Sequence, residues 1–582
     1  MEIKKTLLWV VFSVSGIMLF NNWQIAHGNK PLPFLAPPPQ VTESTSQGTA
    51  KDQSGSAQLP STAGLNQKQE MVPSESAKFS ADQGVIPTAR LQNEVLDLEI
   101  SAKGGTIIKS ALKKHLDKGD KGEPVILMEN KNGHIYIARN GLISQGLDLD
   151  VPNHNDIFTQ KQSVDGQTLV QVAEKNGVLY EKTYTLKPNS YVLEVKHTVT
   201  NKNSNPISLI IYSELVRDNI NIDLRSGKKV NNEGFFSSLT NPENNTFTGP
   251  AIYTDKDKFK EVSFTDIENK KVVVPEPLRS DEPGWIAMVQ HYFASAWIPE
   301  LNSKREFYFN KLEENQYRVG MKSSMDMIAS GSTQSLTAKL FIGPDDETIL
   351  RPISPGLELI KDYGRLTIIA KPIFWFLTQI HNVVGNWGWA IIILTILIKL
   401  AFFPLSAASY KSMARMKEVQ PRLVQMKEQY KGDPQRLNKE MMEMYRKEKI
   451  NPLGGCLPVV IQIPVFISLY WVLLLSVEMR GAPWTLWIHD LSAPDTSLSS
   501  LVGLSIPIGI LPILMAVSMF VQTKLNPTPP DPVQAKVMLF MPLAFSLMFF
   551  FFPSGLVLYY IVNNLLSIAQ QWQINRLYSV KK

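Results

Sequence analysis

Four blocks in the last third of the chain decide what it can fold into. Asn382–Tyr410 holds a single charge, Lys399, and Pro452–Val477, Thr496–Thr523 and Val537–Asn575 hold none. A helix needs about 20 mostly apolar residues to cross roughly 30 Å of hydrocarbon, and every block is long enough. Val537–Asn575 is too long for one crossing and is broken by Pro553-Ser554-Gly555, which reads as a tight turn between two. Near the N-terminus, Thr6–Ala26 is uncharged and follows Lys4 and Lys5. Gln24, two residues before Ala26, fits a cleavage site poorly, so this stretch reads as an uncleaved signal-anchor. The sequence therefore predicts a polytopic α-helical membrane protein of six spans, five of them forming a C-terminal core. A mean hydropathy of −0.07 conceals this because the first 360 residues are polar. A purely soluble enzyme is excluded.

Lys and Arg positions orient the spans. The segment after the second span carries Lys411, Arg415, Lys417, Arg422, Lys427, Lys431, Arg436, Lys439, Arg446, Lys447 and Lys449. The next segment offers only Arg480 against Glu478, Asp490 and Asp495. Lys524 and Lys536 flank the following loop, and Arg576, Lys581 and Lys582 end the chain. One topology satisfies all of these: both termini cytoplasmic, with the large polar region outside. The spans are placed at 1–26, 386–410, 452–477, 496–523, 537–553 and 554–575. Between them lie an outer loop at 478–495, a cytoplasmic loop at 524–536 and a cytoplasmic tail at 576–582.

Outside the membrane, 27–80 is rich in Pro, Ser, Gln, Thr and Gly and reads as a flexible tether. From 81 to 350, alternating runs such as Val95–Ile100, His134–Ile137 and Tyr191–Val195 predict a large antiparallel β-sandwich domain. Its histidines, His115, His134, His154, His197 and His291, lack metal-ligand spacing, and its carboxylates form no recognisable pair. A scaffold is the plain reading; a sugar-binding or sugar-modifying cleft is the alternative. The region 351–385 contains an apolar stretch, Leu366–Val384, expected to lie on the outer leaflet as an amphipathic helix with Trp375, Phe376 and Ile380 on one face. Trp387 and Trp389 follow as interfacial anchors. One cysteine, Cys456, excludes an intrachain disulfide, and a net charge of +6 over 582 residues is too dilute to argue for nucleic acid.

The cytoplasmic segment, 411–451, reads as a helical hairpin. Met416, Val419, Leu423, Met426 and Tyr430 recur at coiled-coil spacing, Lys431-Gly432-Asp433-Pro434 breaks the run, and Leu437, Met441 and Met444 resume it. Pro421 is expected to kink the first arm or mark its start. Met413, Met416, Met426, Met441 and Met444 suit a surface that accepts varied apolar partners, or equally a seam between the arms. The basic excess would suit a ribosome or anionic lipid, though a cytoplasmic loop is basic without either.

Lys399 is the one charge inside a span. Twelve residues from Trp387 at 1.5 Å each place it about 18 Å down, in the cytoplasmic half. A lysine there costs several kcal/mol, and none of the four blocks supplies a carboxylate to offset it. Either it snorkels to the cytoplasmic interface, or it faces a hydrated recess that a visitor can enter. Thr395, Gln462, Gln522, Tyr559, Tyr560, Asn563 and Asn564 are polar groups that would line such a recess, and Pro458, Pro464, Pro507, Pro512 and Pro542 would loosen the surrounding helices.

Several long motifs resemble the YidC/Oxa/Alb family of membrane protein insertases, in its Gram-negative form. They are Trp285–Pro299 (WIAMVQHYFASAWIP), Gly385–Gly388 (GNWG), Asn451–Pro458 (NPLGGCLP), Leu486–Ser492 (LWIHDLS) and Phe552–Val562 (FPSGLVLYYIV). The resemblance implies an inner-membrane protein whose large domain is periplasmic. It also implies a positively charged groove, open to cytoplasm and lipid, that receives polar segments of nascent membrane proteins and releases their spans into the bilayer. Thr395 and Tyr560 fall where the family contacts substrate. The groove charge of the family is typically Arg; Lys399 keeps the charge without the planar fork. Partners implied are nascent membrane proteins, the Sec translocon, the ribosome and the lipid bilayer, with a monomer as the working unit. The tail after Tyr578 is too short for the ribosome-binding extension of some relatives. No cofactor is implied, and the sequence has no Walker-type glycine loop. A solute or proton transporter is the alternative, although the five C-terminal spans show no inverted repeat.

Overall fold

The computed structural model describes residues 86–579 apart from 117–121, 132, 146–148, 163–165, 221–245, 302, 314, 431, 449–456, 503–506, 527–535, 537–538 and 541–544. The expected first span, 1–26, and the tether, 27–80, lie outside the described residues. The chain divides into two compact units, a β unit ending at Ile360 and a helical unit from Lys361 onward.

The β unit contains β1 Thr88–Gln92, β2 Leu96–Ser101, β3 Ile107–Leu116, β4 Pro124–Lys131, β5 His134–Ser144, β6 Thr159–Gln162, β7 Thr168–Lys175, β8 Val178–Leu186 and β9 Val192–Asn201. It continues with β10 Leu209–Asp218, β11 Gly249–Thr254, β12 Lys258–Glu261, β13 Gly284–Gln290, β14 Phe293–Pro299, β15 Arg305–Lys311, β16 Gln316–Ser324 and β17 Thr333–Pro344. One sheet has the order β1-β2-β3-β4-β5-β10-β16-β15, the other β12-β11-β13-β14-β17-β9-β8-β7-β6. Contacts across the two sheets make the sandwich: the Tyr136 hydroxyl lies 2.5 Å from Ser295 Oγ, and Trp297 Nε1 donates to Glu214 O at 3.2 Å.

Strand β8 buries every second residue, as a half-covered strand must, whereas β10 is buried along its whole length because both its faces are covered. The motif Trp285–Pro299 is the hairpin β13–β14, buried throughout. Trp285 stacks on Tyr253 with ring centroids 5.6 Å apart, and its indole donates to Pro355 O. That signature therefore belongs to the sandwich core. The histidines expected as scaffold residues take structural partners: His154 meets the Tyr212 hydroxyl at 2.5 Å, His197 that of Tyr180 at 2.7 Å, and His134 the Asp218 carboxylate at 2.9 Å.

The helical unit contains α1 Thr367–Val384, α2 Trp387–Ala401, α3 Phe403–Gln429, α4 Pro434–Lys447, α5 Leu457–Leu475, α6 Ser497–Val502, α7 Ile510–Leu525 and α8 Ser554–Ser579. Several bounds differ from the sequence expectation. The stretch 386–410 is not one rod: α2 stops at Ala401, and α3 leaves at 67°. Pro404 explains the bend, since in a continuing helix its ring would strike the carbonyl of Leu400, while in the first turn of a new helix its missing N–H costs nothing. The helix α3 then runs unbroken into the hairpin segment, so Pro421 sits inside it and does not mark a start. Among the described residues no single helix is long and apolar enough to cross a membrane; α2 and α3 pass that test together.

The stretch 496–523 is also divided. The short helix α6 is separate, and α7 begins only at Ile510, where Asp495 Oδ2 accepts from Leu511 N at 2.8 Å. Within 537–553, the last residues form a 3-10 turn at Phe549–Phe551. The Pro553-Ser554-Gly555 turn opens directly into α8, which continues to Ser579, past the expected bound of 575. On α1, Trp375 and Phe376 are exposed, but Ile380 packs inward beside Leu377. Trp387, expected at an interface, is buried and stacks on His381 at 3.9 Å, while Trp389 is exposed.

Candidate functional site

One end of the helices is fastened by a single loop, 476–497. Asn386 caps α2, accepting from Gly388 N at 3.0 Å and Trp389 N at 3.2 Å, and its amide donates to Pro483 O. Gly385 supplies the left-handed turn that ends α1, with φ of 70°. A Cβ at Gly388 would lie 2.2 Å from Trp484 Cδ1, so only glycine lets this loop close on α2. These contacts account for the Gly385–Gly388 motif. At α8, Ser554 N donates to Ala493 O at 2.7 Å and Gly555 N to Leu491 O at 2.8 Å. Lys361, fully buried, pairs with Glu478 at 3.0 Å and lies 4.2 Å from the Phe374 ring centre.

From that fastened end the bundle interior grows more polar. Ile391, Leu394, Leu473, Leu556 and Val557 form an apolar plug. One to three turns further along follow Thr395 and Lys399 on α2, and Tyr559, Asn563 and Ser567 on α8 at i, i+4 and i+8. Lys399 is 9% exposed, and its Nζ donates to Ser567 Oγ at 2.7 Å. Among the described residues no carboxylate lies within ion-pair distance of it. Ser567 Oγ in turn donates to Asn563 O at 2.8 Å. Gln462 on α5 donates to the Tyr559 hydroxyl.

The other expected residues are less directly placed. Thr395 is buried and donates at 2.6 Å to Ile391 O of its own helix, so in this state its hydroxyl is internally satisfied. Tyr560 is half-buried between Phe466 and Phe549, at ring separations of 5.7 and 5.2 Å. Gln522, half-buried on α7, makes no hydrogen bond to any of these among the described residues. That helix is instead joined to α8 by Asn564 Nδ2 donating to Ser518 Oγ at 3.0 Å and Gln571 donating to Leu525 O at 3.2 Å. Ser567, Ser518 and Gln571 were all missed by sequence reasoning. Ser567 was findable, since it continues the four-residue spacing of Tyr559 and Asn563.

In the hairpin, Val419, Leu423 and Met444 form a buried cluster with Met416, Met426 and Met441 packed against it. These four methionines hold the arms together, and the ones expected to greet partners are thereby engaged. Met413 is half-buried outside the cluster and Met442 is exposed. Asp433 caps α4, and Arg422 pairs with Glu448 at 3.0 Å.

Every long helix of the unit outside the hairpin also presents apolar side chains outward: Ile368 and Trp375 on α1, Leu397 and Leu400 on α2, Ile463 and Ile467 on α5, Val517 and Phe520 on α7, and Leu565 and Trp572 on α8. An exterior of this kind suits a nonpolar medium. No group of three or more His, Cys, Asp or Glu suited to a metal occurs among the described residues.

Comparison with known proteins follows nearly the same division. Residues 88–376 match the YidC periplasmic domain family and residues 379–582 the 60Kd inner membrane protein family. The chain is 55% identical over its whole length to the membrane protein insertase YidC of Polynucleobacter asymbioticus, covering 100% of both chains. It is 51% identical to that of Cupriavidus taiwanensis, covering 99% of this chain and 98% of the relative. A crystal structure of an active YidC insertase shares 17% identity over 84% of this chain and 94% of that one, at a TM-score of 0.36.

Proposed function

Because the chain belongs to the YidC family of membrane protein insertases, an inner-membrane family with a periplasmic domain, we propose that its helical unit moves polar segments of nascent membrane proteins part-way across the bilayer by way of Lys399. The observation that carries this reading is a buried ammonium with a serine, not a carboxylate, as its partner. An internal anion would neutralise the site; a serine leaves its charge available to a visiting acidic residue.

The outward-going segment of a client is polar, and crossing hydrocarbon is its barrier. A polar interior beyond the apolar plug shortens the dry path, Lys399 attracts acidic residues, and the client's own apolar span then partitions into lipid and drives the step. The fastened outer loop keeps the far end closed while this happens. Six spans with both termini cytoplasmic, a groove open to cytoplasm and lipid, work beside the Sec translocon or on ribosome-bound chains, and action as a monomer complete the proposal. The chain acts by binding and release, with no covalent chemistry.

The test is insertion into proteoliposomes of two clients, one with an acidic leading segment and one with those carboxylates changed to amides. Lys399→Glu is expected to abolish insertion of the acidic client and spare the neutral one. Normal insertion of the acidic client by that variant would refute the charge-attraction step.

A further inference from the structure

The Lys399 ammonium is a point charge on four rotatable bonds, and nothing in its own geometry fixes where it points. Its direction has to come from its acceptor. That acceptor, Ser567 Oγ on α8, is 2% exposed. A serine hydroxyl has one proton and two lone pairs. The proton is committed to Asn563 O, 2.8 Å away on the same helix. A lone pair takes Lys399 Nζ at 2.7 Å. With its proton and that lone pair both engaged, the hydroxyl cannot rotate without breaking a bond in a buried setting, where a lost hydrogen bond is expensive.

We propose that Ser567 is the positioning residue for Lys399, holding its charge toward the bundle interior. The inference rests on the reading of Lys399 as the client-attracting charge and adds what aims that charge. Without the serine acceptor the flexible side chain follows its solvation and reaches for the cytoplasmic interface, as intramembrane lysines do when they can. The charge survives, but in the wrong place.

The experiment uses the full chain in proteoliposomes with the acidic and the amide client described above, comparing Ser567→Ala, Ser567→Thr and Lys399→Gln. Ser567→Ala is expected to slow the acidic client by about three- to tenfold, the net range of one hydrogen bond, while leaving the amide client within about twofold. Ser567→Thr keeps the hydroxyl and restores the rate. In the Lys399→Gln background, Ser567→Ala adds nothing. Equal slowing of both clients by Ser567→Ala would mark a merely structural serine and overturn the proposal, as would full insertion of the acidic client. If Lys399→Gln itself inserts the acidic client normally, the parent reading falls; if Lys399→Gln fails while Ser567→Ala is normal, only the positioning role does.

Discussion

At the scale of single residues, the two units handle buried charge in opposite ways. In the helical unit Lys399 keeps a neutral partner, which leaves its charge for use. In the β unit Glu214 is clamped by Arg139 and lies 3.7 Å from Arg318, and Tyr308 donates to it at 2.7 Å, so that charge is spent internally. Two neighbouring histidines are held neutral. Burial pushes His154 and His197 down to about 3, with Arg139 adding to the effect at His154 and Lys182 at His197. An unfolded histidine takes up its proton near 6.5, so the stabilisation these two contribute is intact above that pH and is lost as pH falls toward 3. Each costs about 1.4 kcal/mol per pH unit through that window. Hydrogen exchange of β8 and β9 in the full chain should therefore quicken from pH 6.5 to 4.5, and His197→Phe should flatten the trend; an unchanged slope would contradict this account. Lys399 was legible in the sequence because a charge in an apolar block announces itself. Ser567 was legible only as a position, four residues on from Asn563; its role was not, because a serine in a membrane helix is ordinary until its partner across 168 residues is known.

Among elements, hydropathy located the helices but not their ends. A sliding apolar count sees 386–410 as continuous, while the steric rule at Pro404 splits it; the count also runs through 496–509, whose described part holds only the short helix α6 before α7 begins at Ile510. Short motifs carried the finer information. Gly385–Gly388 is a helix stop, a cap and a seat for Trp484, and each part can be tested. Asn386→Ala should destabilise the helical unit by about 0.5–2 kcal/mol through the lost cap. Gly388→Val, which places side-chain atoms inside Trp484, should cost about 1–3 kcal/mol or more. Gly432, with open space around it, serves as the control, and Gly432→Ala should change nothing measurable. Thermal unfolding in detergent micelles reads all three; equal stability of Gly388→Val and Gly432→Ala would mean that the loop does not close on α2 as described. The strands were easier, since period-two burial shows wherever one face is solvated, as in β8, and fails only in strands like β10 that are covered on both sides.

For the whole molecule, the sequence already separates two materials, a polar β-forming half and an apolar helical one, and the two family matches divide a little later, between residues 376 and 379 inside α1. What it could not supply is the gradient inside the helical unit, because that depends on which faces of α2, α5 and α8 meet. The expected topology, cytoplasmic hairpin and outer loop 478–495, predicts that single cysteines at Gln435 and Thr485, in a chain with Cys456 replaced by serine, are labelled by an impermeant maleimide from opposite sides of the membrane. Labelling of both from one side would overturn the orientation. The central claim is that client segments enter the polar interior beside Lys399. It is tested most directly by photo-crosslinking stalled nascent chains from Asn563 and Tyr560, with the outward-facing Val517 as reference. The account predicts adducts to the client's polar leading segment from Asn563 and Tyr560 that disappear with Lys399→Glu; adducts from Val517 alone, or adducts indifferent to that substitution, would contradict it.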